Sequence, residues 1–243
     1  FGILGAMTFA AKYIMSFLPN IEPVSLMVML FAVVFGLKGL YPVYLYVLLE
    51  KPQYKHLQVA KDYENTHIYW YERMAHHTID PLHPESFPLI KSMIDQFIPL
   101  FRSDKFNICC DETFDLKNGK HKDMDTGELY IAFTNKLIDY VKSQGKQVMM
   151  WGDVQLEHPD RVGDIPEDVI LLNWNYGADA ASIEEKIKVF HQNNRIQIGC
   201  SATWAWNHFN ELLCASIPNI THMTKLAYEY AVQKKKTIIN LYE

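Results

Sequence analysis

From residue 83 onward the sequence alternates short apolar runs with segments of helical period, and this alternation leaves few architectures open. "HPESFPLIKSMIDQFIPLF" (83–101) sets Phe87, Ile90, Ile94, Phe97 and Ile98 on one helical stripe, with His83 just ahead and Pro84 and Glu85 suited to its first turn. "KFNICC" (105–110) predicts a short buried strand, and "GELYIAFTNKLIDYVKSQG" (127–145) an amphipathic helix closed by Gly145. The pattern then repeats. Strands are expected in "KQVMMWGD" (146–153), "EDVILLNWNYG" (167–177) and "RIQIGCSATWAWN" (195–207). Helices are expected in "ASIEEKIKVFHQNN" (181–194) and "SIPNITHMTKLAYEYAVQKK" (216–235), before a strand-like "KTIINLY". Units of this length imply parallel strands with right-handed crossovers. A β/α barrel and a doubly wound sheet both satisfy that pattern, but no glycine-rich phosphate loop supports the second.

Residues 1–50 have a different texture. Their only charged side chains are Lys12, Glu22, Lys38 and Glu50, set around "VSLMVMLFAVVFGL" (24–37) and "LYPVYLYVLL" (40–49). Neither run reaches the ~20 apolar residues of an unaided membrane span, yet the region is too apolar for an ordinary soluble surface. It reads as a transmembrane-like helical segment, with a buried helical hairpin as the alternative. The basic start, single core and small-residue cleavage site of a signal peptide are absent. From "KPQYKHLQVAKDYENTH" onward the chain is polar, aromatic and acidic, which puts a domain boundary at Glu50–Lys51 and a second domain over 51–243.

The net charge of −5 argues against a nucleic-acid partner. Cys109, Cys110, Cys200 and Cys214 lack C-x-x-C spacing and read as reduced thiols of a cytosol-like compartment. The chain opens on Phe1 and stops after "TIINLYE", which reads as a fragment.

At the end of the first predicted strand, "FNICCDETFDLKNG" passes from apolar to charged through the adjacent acids Asp111 and Glu112. An isolated Asp-Glu pair is usually solvated or caps a helix. A carboxyl serving as general acid near neutral pH needs apolar surroundings or a neighbouring like charge, and both are on hand here. Aromatic and acidic residues recur at the later strand ends: Trp151 and Asp153, Trp174 and Tyr176, Trp204 and Trp206. Active sites of β/α barrels gather at that carboxyl edge. Each Trp on its own reads more readily as core packing.

Two resemblances add to this reading. "LPNIEPVSLMVMLFAVVFG", within residues 1–50, resembles the start of a substrate-binding membrane subunit of the energy-coupling-factor vitamin transporters. Residues 51–240 resemble the catalytic domain of glycoside hydrolase family 20, the β-N-acetylhexosaminidases. The blocks "HHTIDPLHPESF", "LFRSDKFNICCDETFDLKNGK", "VMMWGDVQLEHPD", "PEDVILLNWNYG" and "CSATWAWN" carry that second likeness in order and spacing.

The family-20 resemblance implies retaining hydrolysis in which the 2-acetamido group of the sugar, not an enzyme side chain, attacks the anomeric carbon. By that resemblance Glu112 is the general acid and base, and Asp111 holds the acetamido N–H. Trp151, Trp174 and Trp206 wall the pocket, Tyr176 donates to the acetamido oxygen, and Asp153 binds a sugar hydroxyl. It implies no metal and no cofactor; Cys109 and Cys110 pack the strand rather than attack. The expected partner is an N-acetylhexosamine-containing glycan or glycoside. A cytoplasmic hydrolase is expected, with membrane contact through residues 1–50 if that segment belongs to the protein.

Two departures stand out. Many family members carry a histidine and two small residues ahead of the acid pair, where this chain has Asn107, Ile108, Cys109 and Cys110. The family's closing Asn-Thr-Asp-Trp-Gly-Asp-like strand is matched here only by Asn240. The fold expected is therefore α/β, an incomplete TIM-like (β/α) barrel preceded by an apolar, mainly helical membrane-type segment. A glycosidase that is inactive through truncation, or a transporter-subunit fragment fused to a non-catalytic remnant, are both open at this point.

Overall fold

The computed structural model describes residue 49 and residues 52–60, 78–113, 115–117, 119–202, 213–234 and 239–241. The membrane-type segment expected over 1–50 lies outside these residues except for Leu49, which is buried. Among the described residues no helix is long and apolar enough to cross a membrane.

The strands are β1 (Lys105–Asn107), β2 (Gln147–Trp151), β3 (Ile170–Trp174), β4 (Ile196–Cys200) and β5 (Ile239–Leu241). The helices are α1 (Ser86–Phe97), α2 (Thr126–Ser143), α3 (Asp153–Glu157), α4 (Ala180–Gln192) and α5 (Leu213–Lys234). Among the described residues these five strands pair in parallel, and the spatial order β1-β2-β3-β4-β5 is the chain order. A doubly wound sheet reverses its strand order at a switch point; among the described residues this sheet keeps chain order, which is consistent with part of a β/α barrel.

Side-chain alternation along the strands separates two faces. Val148, Met150 and Leu171 join a core with Leu137, Ile138 and Val141 of α2. Ile170, Leu172 and Ile198, with Met149, Trp151, Ile196 and Cys200 packed on them, form a separate cluster. That second cluster is the face a barrel turns inward, and it places Trp151 at its carboxyl end.

The helices start and stop as their sequences dictate. Asp125 caps α2 by accepting the Glu128 N–H, and Asp179 caps α4 by accepting the Ser182 N–H. Gly145, just past α2, has φ of +75°, the left-handed stop expected of it.

Two boundaries differ from the sequence reading. Pro84 and Glu85 precede α1 instead of forming its first turn, because the chain is held there by a bond from Ser86 Oγ to the Asp80 carbonyl (2.6 Å). β1 ends at Asn107, three residues short of Cys110, because Cys109 and Cys110 adopt left-handed backbone (φ 61° and 66°) that no strand accommodates.

Residues 52–60 pack against the same body. Gln58 and Ile79 form an antiparallel bridge, flanked by Val59 N–H to Thr78 O (3.1 Å) and Asp80 N–H to Leu57 O (2.7 Å). The buried Asp80 carboxylate then ties this strip to the loop after the acid pair, through Lys120 Nζ (2.9 Å) and His121 Nε2 (2.7 Å). Its hydrogen bonds outweigh burial and hold its carboxyl below the usual range. Gly119 is required where that loop crosses: a Cβ there would stand 2.5 Å from Val59 O.

Candidate active site

The chain beyond β1 keeps its main-chain bonds to β2, with Ile108 N–H on Met149 O (2.9 Å) and Trp151 N–H on Cys109 O (3.0 Å). What changes is its direction. Asn107 Oδ1 accepts the Cys109 N–H at 2.8 Å, a local side-chain turn that starts the left-handed stretch. Cys109, Cys110 and Glu112 (φ 51°) all lie in the left-handed region. Each such non-glycine residue costs roughly 1–2 kcal/mol, so the surrounding contacts must hold the turn in place.

Two holds are evident. From the α2 side, Tyr130 Oη donates to the Cys110 carbonyl at 2.7 Å. Buried Gln155 of α3 lies 3.1 Å from the same hydroxyl; with its amide turned over, its oxygen faces that hydroxyl and its nitrogen donates instead to the carbonyls of Trp151 and Gly152. From the β2 side, Asp153 Oδ2 accepts the Glu112 N–H at 2.9 Å. The Asp-Glu pair is thus anchored to the first residue of α3 and, through Tyr130, to the helix that follows it in the chain.

The electrostatics are those of a crowded acid site. Burial, then the charges of Asp111 and Asp153, push the Glu112 carboxyl up to about 7. Desolvation by the surrounding protein raises the Asp111 carboxyl, against a hydrogen bond from its own backbone amide, and the charge of Asp153 adds to the effect. Asp153 is raised by burial, against opposing hydrogen bonds from the Glu112 and Asp153 amides and from Trp174. Its Oδ1 is buried without a well-aligned donor. A carboxyl at about 7 is partly protonated at neutral pH and can donate a proton, then take one back. Burial pushes the Cys109 thiol up to about 11 and Cys110 well above its ordinary value, so neither is a thiolate nucleophile.

Aromatic side chains stand at the ends of the next two strands. Trp151 ends β2 and Trp174 ends β3, both partly exposed. Tyr176 stacks on Trp174, with ring centroids 4.9 Å apart and planes 25° from parallel. Lys186 of α4 places its Nζ 5.1 Å from the centre of the Trp174 ring and 3.5 Å from the Trp174 carbonyl. The Tyr176 loop is latched by buried Asn219 of α5, whose Nδ2 donates to Asn175 O (2.6 Å) and Gly177 O (2.7 Å). The same residue's Oδ1 accepts the Ala202 N–H at 3.1 Å, joining the loops after β3 and β4. Trp204 and Trp206 lie outside the described residues.

The structure therefore brings Asp111, Glu112 and Asp153 together at the carboxyl edge, with Trp174 reaching Asp153 and Tyr176 stacked on Trp174. Sequence reasoning missed Tyr130, Gln155, Lys186 and Asn219. A polar residue at an inward position of an amphipathic helix is the signal for Tyr130 and Asn219. Lys186 shows no such signal, since a lysine on a helix reads as solvated.

A sequence profile for the glycosyl hydrolase family 20 catalytic domain matches residues 48–195. The chain belongs to this family. Among solved structures it is similar to the β-N-acetylhexosaminidase of Bacteroides fragilis NCTC 9343, at 16% identity over 58% of this chain and 30% of that one (TM-score 0.43). It is also similar to the Flavobacterium johnsoniae chitobiase FjGH20, at 18% identity over 65% of this chain and 24% of that one (TM-score 0.46). This family-20 chain thus spans a third or less of the length of either structure. No curated protein matches it.

Proposed function

We propose that this family-20 domain is part of a glycosidase that removes terminal β-linked N-acetylhexosamine from a glycan or glycoside, with retention and with the substrate's acetamido group as nucleophile. The observation that carries the reading is the Glu112 carboxyl, anchored through its own backbone on Asp153 and pushed up to about 7 beside two further acids. Glu112 protonates the leaving oxygen and then draws the proton from the incoming water. Asp111 accepts the acetamido N–H and stabilises the positive charge that develops as the acetamido oxygen closes on the anomeric carbon. No enzyme nucleophile is required, so the family stands outside the scheme that uses a second carboxylate for attack or for water activation.

Trp151 and Trp174, with Trp206, bound the sugar, and Tyr176 donates to the acetamido oxygen. Asp153 serves foremost as the anchor of the Glu112 main chain, with a sugar hydroxyl as a further partner. The domain itself is proposed to run over 51–243, separate from a membrane-type segment 1–50.

A thiazoline mimic of the bicyclic intermediate separates this reading from generic sugar binding. It should bind far more tightly than a plain glucose analogue, and Asp111→Asn should remove most of the difference. Equal binding of both compounds would contradict substrate assistance.

A further inference from the structure

On the strip that holds residues 52–60 against the barrel, two imidazoles and a carboxylate converge without serving the acid site. His56 belongs to a 3-10 turn, Lys55–Leu57, directly ahead of the Gln58–Ile79 bridge. His83 follows that bridge on the other segment, and Glu85 lies two residues beyond it. One donor atom from each of the three side chains lies within 4.8 Å of the other two. The His56 and His83 rings meet edge to face, with centroids 5.1 Å apart. Glu85 is the residue ahead of α1, where a carboxylate ordinarily turns back to the free amides of the helix. Here it makes no such cap. Its Oε2 instead meets His56 Nε2 at 3.0 Å.

We infer that His56, His83 and Glu85 form a binding site for a zinc-like divalent transition metal ion. Two imidazole nitrogens and one carboxylate oxygen are a donor set that suits Zn²⁺, whereas Mg²⁺ and Ca²⁺ favour oxygen alone. Donor atoms bound at about 2.0–2.2 Å around a tetrahedral ion stand about 3.3 Å apart, close to the His56–Glu85 separation. The half-exposed position leaves the fourth direction to water.

The proton bookkeeping is simple. The ion takes the place of the proton that His56 Nε2 shares with Glu85, and the proton of the neutral ring moves to Nδ1. For His83 either ring nitrogen can turn to the ion, with the proton on the other. In both cases the long contact from the Glu85 N–H to His83 Nδ1 (3.2 Å) is given up. The ion would clip the 52–60 strip to the turn before α1, across the same junction as the antiparallel bridge.

The test is calorimetric titration of the untagged chain with ZnCl₂, repeated with MgCl₂ and CaCl₂. It is paired with Co²⁺ absorption as a report on tetrahedral geometry and with thermal melts. One equivalent of Zn²⁺ should bind and raise the melting temperature, with neither alkaline-earth ion doing so at the same concentration. His56→Gln, His83→Gln and Glu85→Gln should each weaken Zn²⁺ by more than the ~10–100-fold that loss of a supporting partner alone costs. His158→Gln, outside the cluster, should leave the affinity unchanged. These side chains are at least partly exposed, so the variants should keep the wild-type circular dichroism. No stoichiometric Zn²⁺ binding, or wild-type affinity in all three variants, would overturn the site.

Discussion

Asp153 Oδ2 accepts the backbone N–H of Glu112 at 2.9 Å, across 41 residues of chain. This bond sets the reach of the Glu112 carboxyl, and the charge of Asp153 adds to burial and to the Asp111 charge in raising its pKa. Asp153→Asn keeps an acceptor for the Glu112 N–H but removes a neighbouring negative charge, which lowers the Glu112 pKa. The general acid is then deprotonated at lower pH. The alkaline limb of kcat/KM for N-acetylhexosaminides should therefore move to lower pH, while folding is preserved. An alkaline limb that stays in place would dissociate Asp153 from the acid.

The same acidity has a cost in stability, and its sign is fixed. The folded Glu112 carboxyl titrates at about 7, above its ordinary value of 4.5, so between these the native state binds more protons than the unfolded chain. Stability from this group is complete below pH 4.5 and declines as pH rises through about 7. Glu112→Gln removes the decline. Allowing for solvent on its open side, the variant should gain about 1 kcal/mol, or roughly 2–4 °C in Tm, at pH 8. It should gain nothing below pH 4.5. Melts at the two pH values check this directly, and a loss of stability at pH 8 would contradict it.

The left-handed turn ahead of the acid pair predicts an unusual order of tolerance at Cys109. Glycine is at home at φ of 61°, alanine carries a Cβ penalty, and a β-branched side chain carries the largest. Stability should fall in the order Cys109→Gly, Cys109→Ala, Cys109→Val, with about 1–3 kcal/mol between the extremes. An ordinary strand position gives the reverse order, with valine most stable, so denaturant melts of the series distinguish the two backbones.

This turn also marks where the sequence stopped being readable. The amphipathic period of α2 and α4 and the apolar runs of β2, β3 and β4 announce their elements, because burial there follows local pattern. "NICC" announces a strand as well, yet Asn107 captures the Cys109 N–H and the backbone leaves the strand region. Asp111, Glu112, Trp151 and Trp174 were readable as candidates by their place at strand ends and by family likeness. The Asp153 bond to Glu112 and the Tyr130 bond to Cys110 were not, since they join residues 41 and 20 apart through the fold alone.

The proposed boundary at Glu50–Lys51 is a matter for proteolysis. Gln58 Nε2 donates to the Leu49 carbonyl at 3.2 Å, and Val59 and Asp80 lock the following strip to the barrel. Limited digestion should therefore cut amino-terminal to residue 52 and leave a product that retains 52–60. A product lacking this strip, or a 1–50 segment that cannot be separated from the barrel, would shift the boundary.

The central claim is that Glu112 is the proton donor and Asp111 the acetamido partner, and leaving-group dependence tests it most directly. In protein that turns over N-acetylhexosaminides, Glu112→Gln should slow substrates with poor leaving groups by about 10²–10⁴-fold. Activated aryl leaving groups need little protonation and should suffer much less in the glycosylation step. Asp111→Asn should slow both kinds alike, because it weakens acetamido attack whatever departs. An equal loss for both substrates with Glu112→Gln, or wild-type rates in both variants, would contradict the assignment and leave the pair as solvated acids at a strand end.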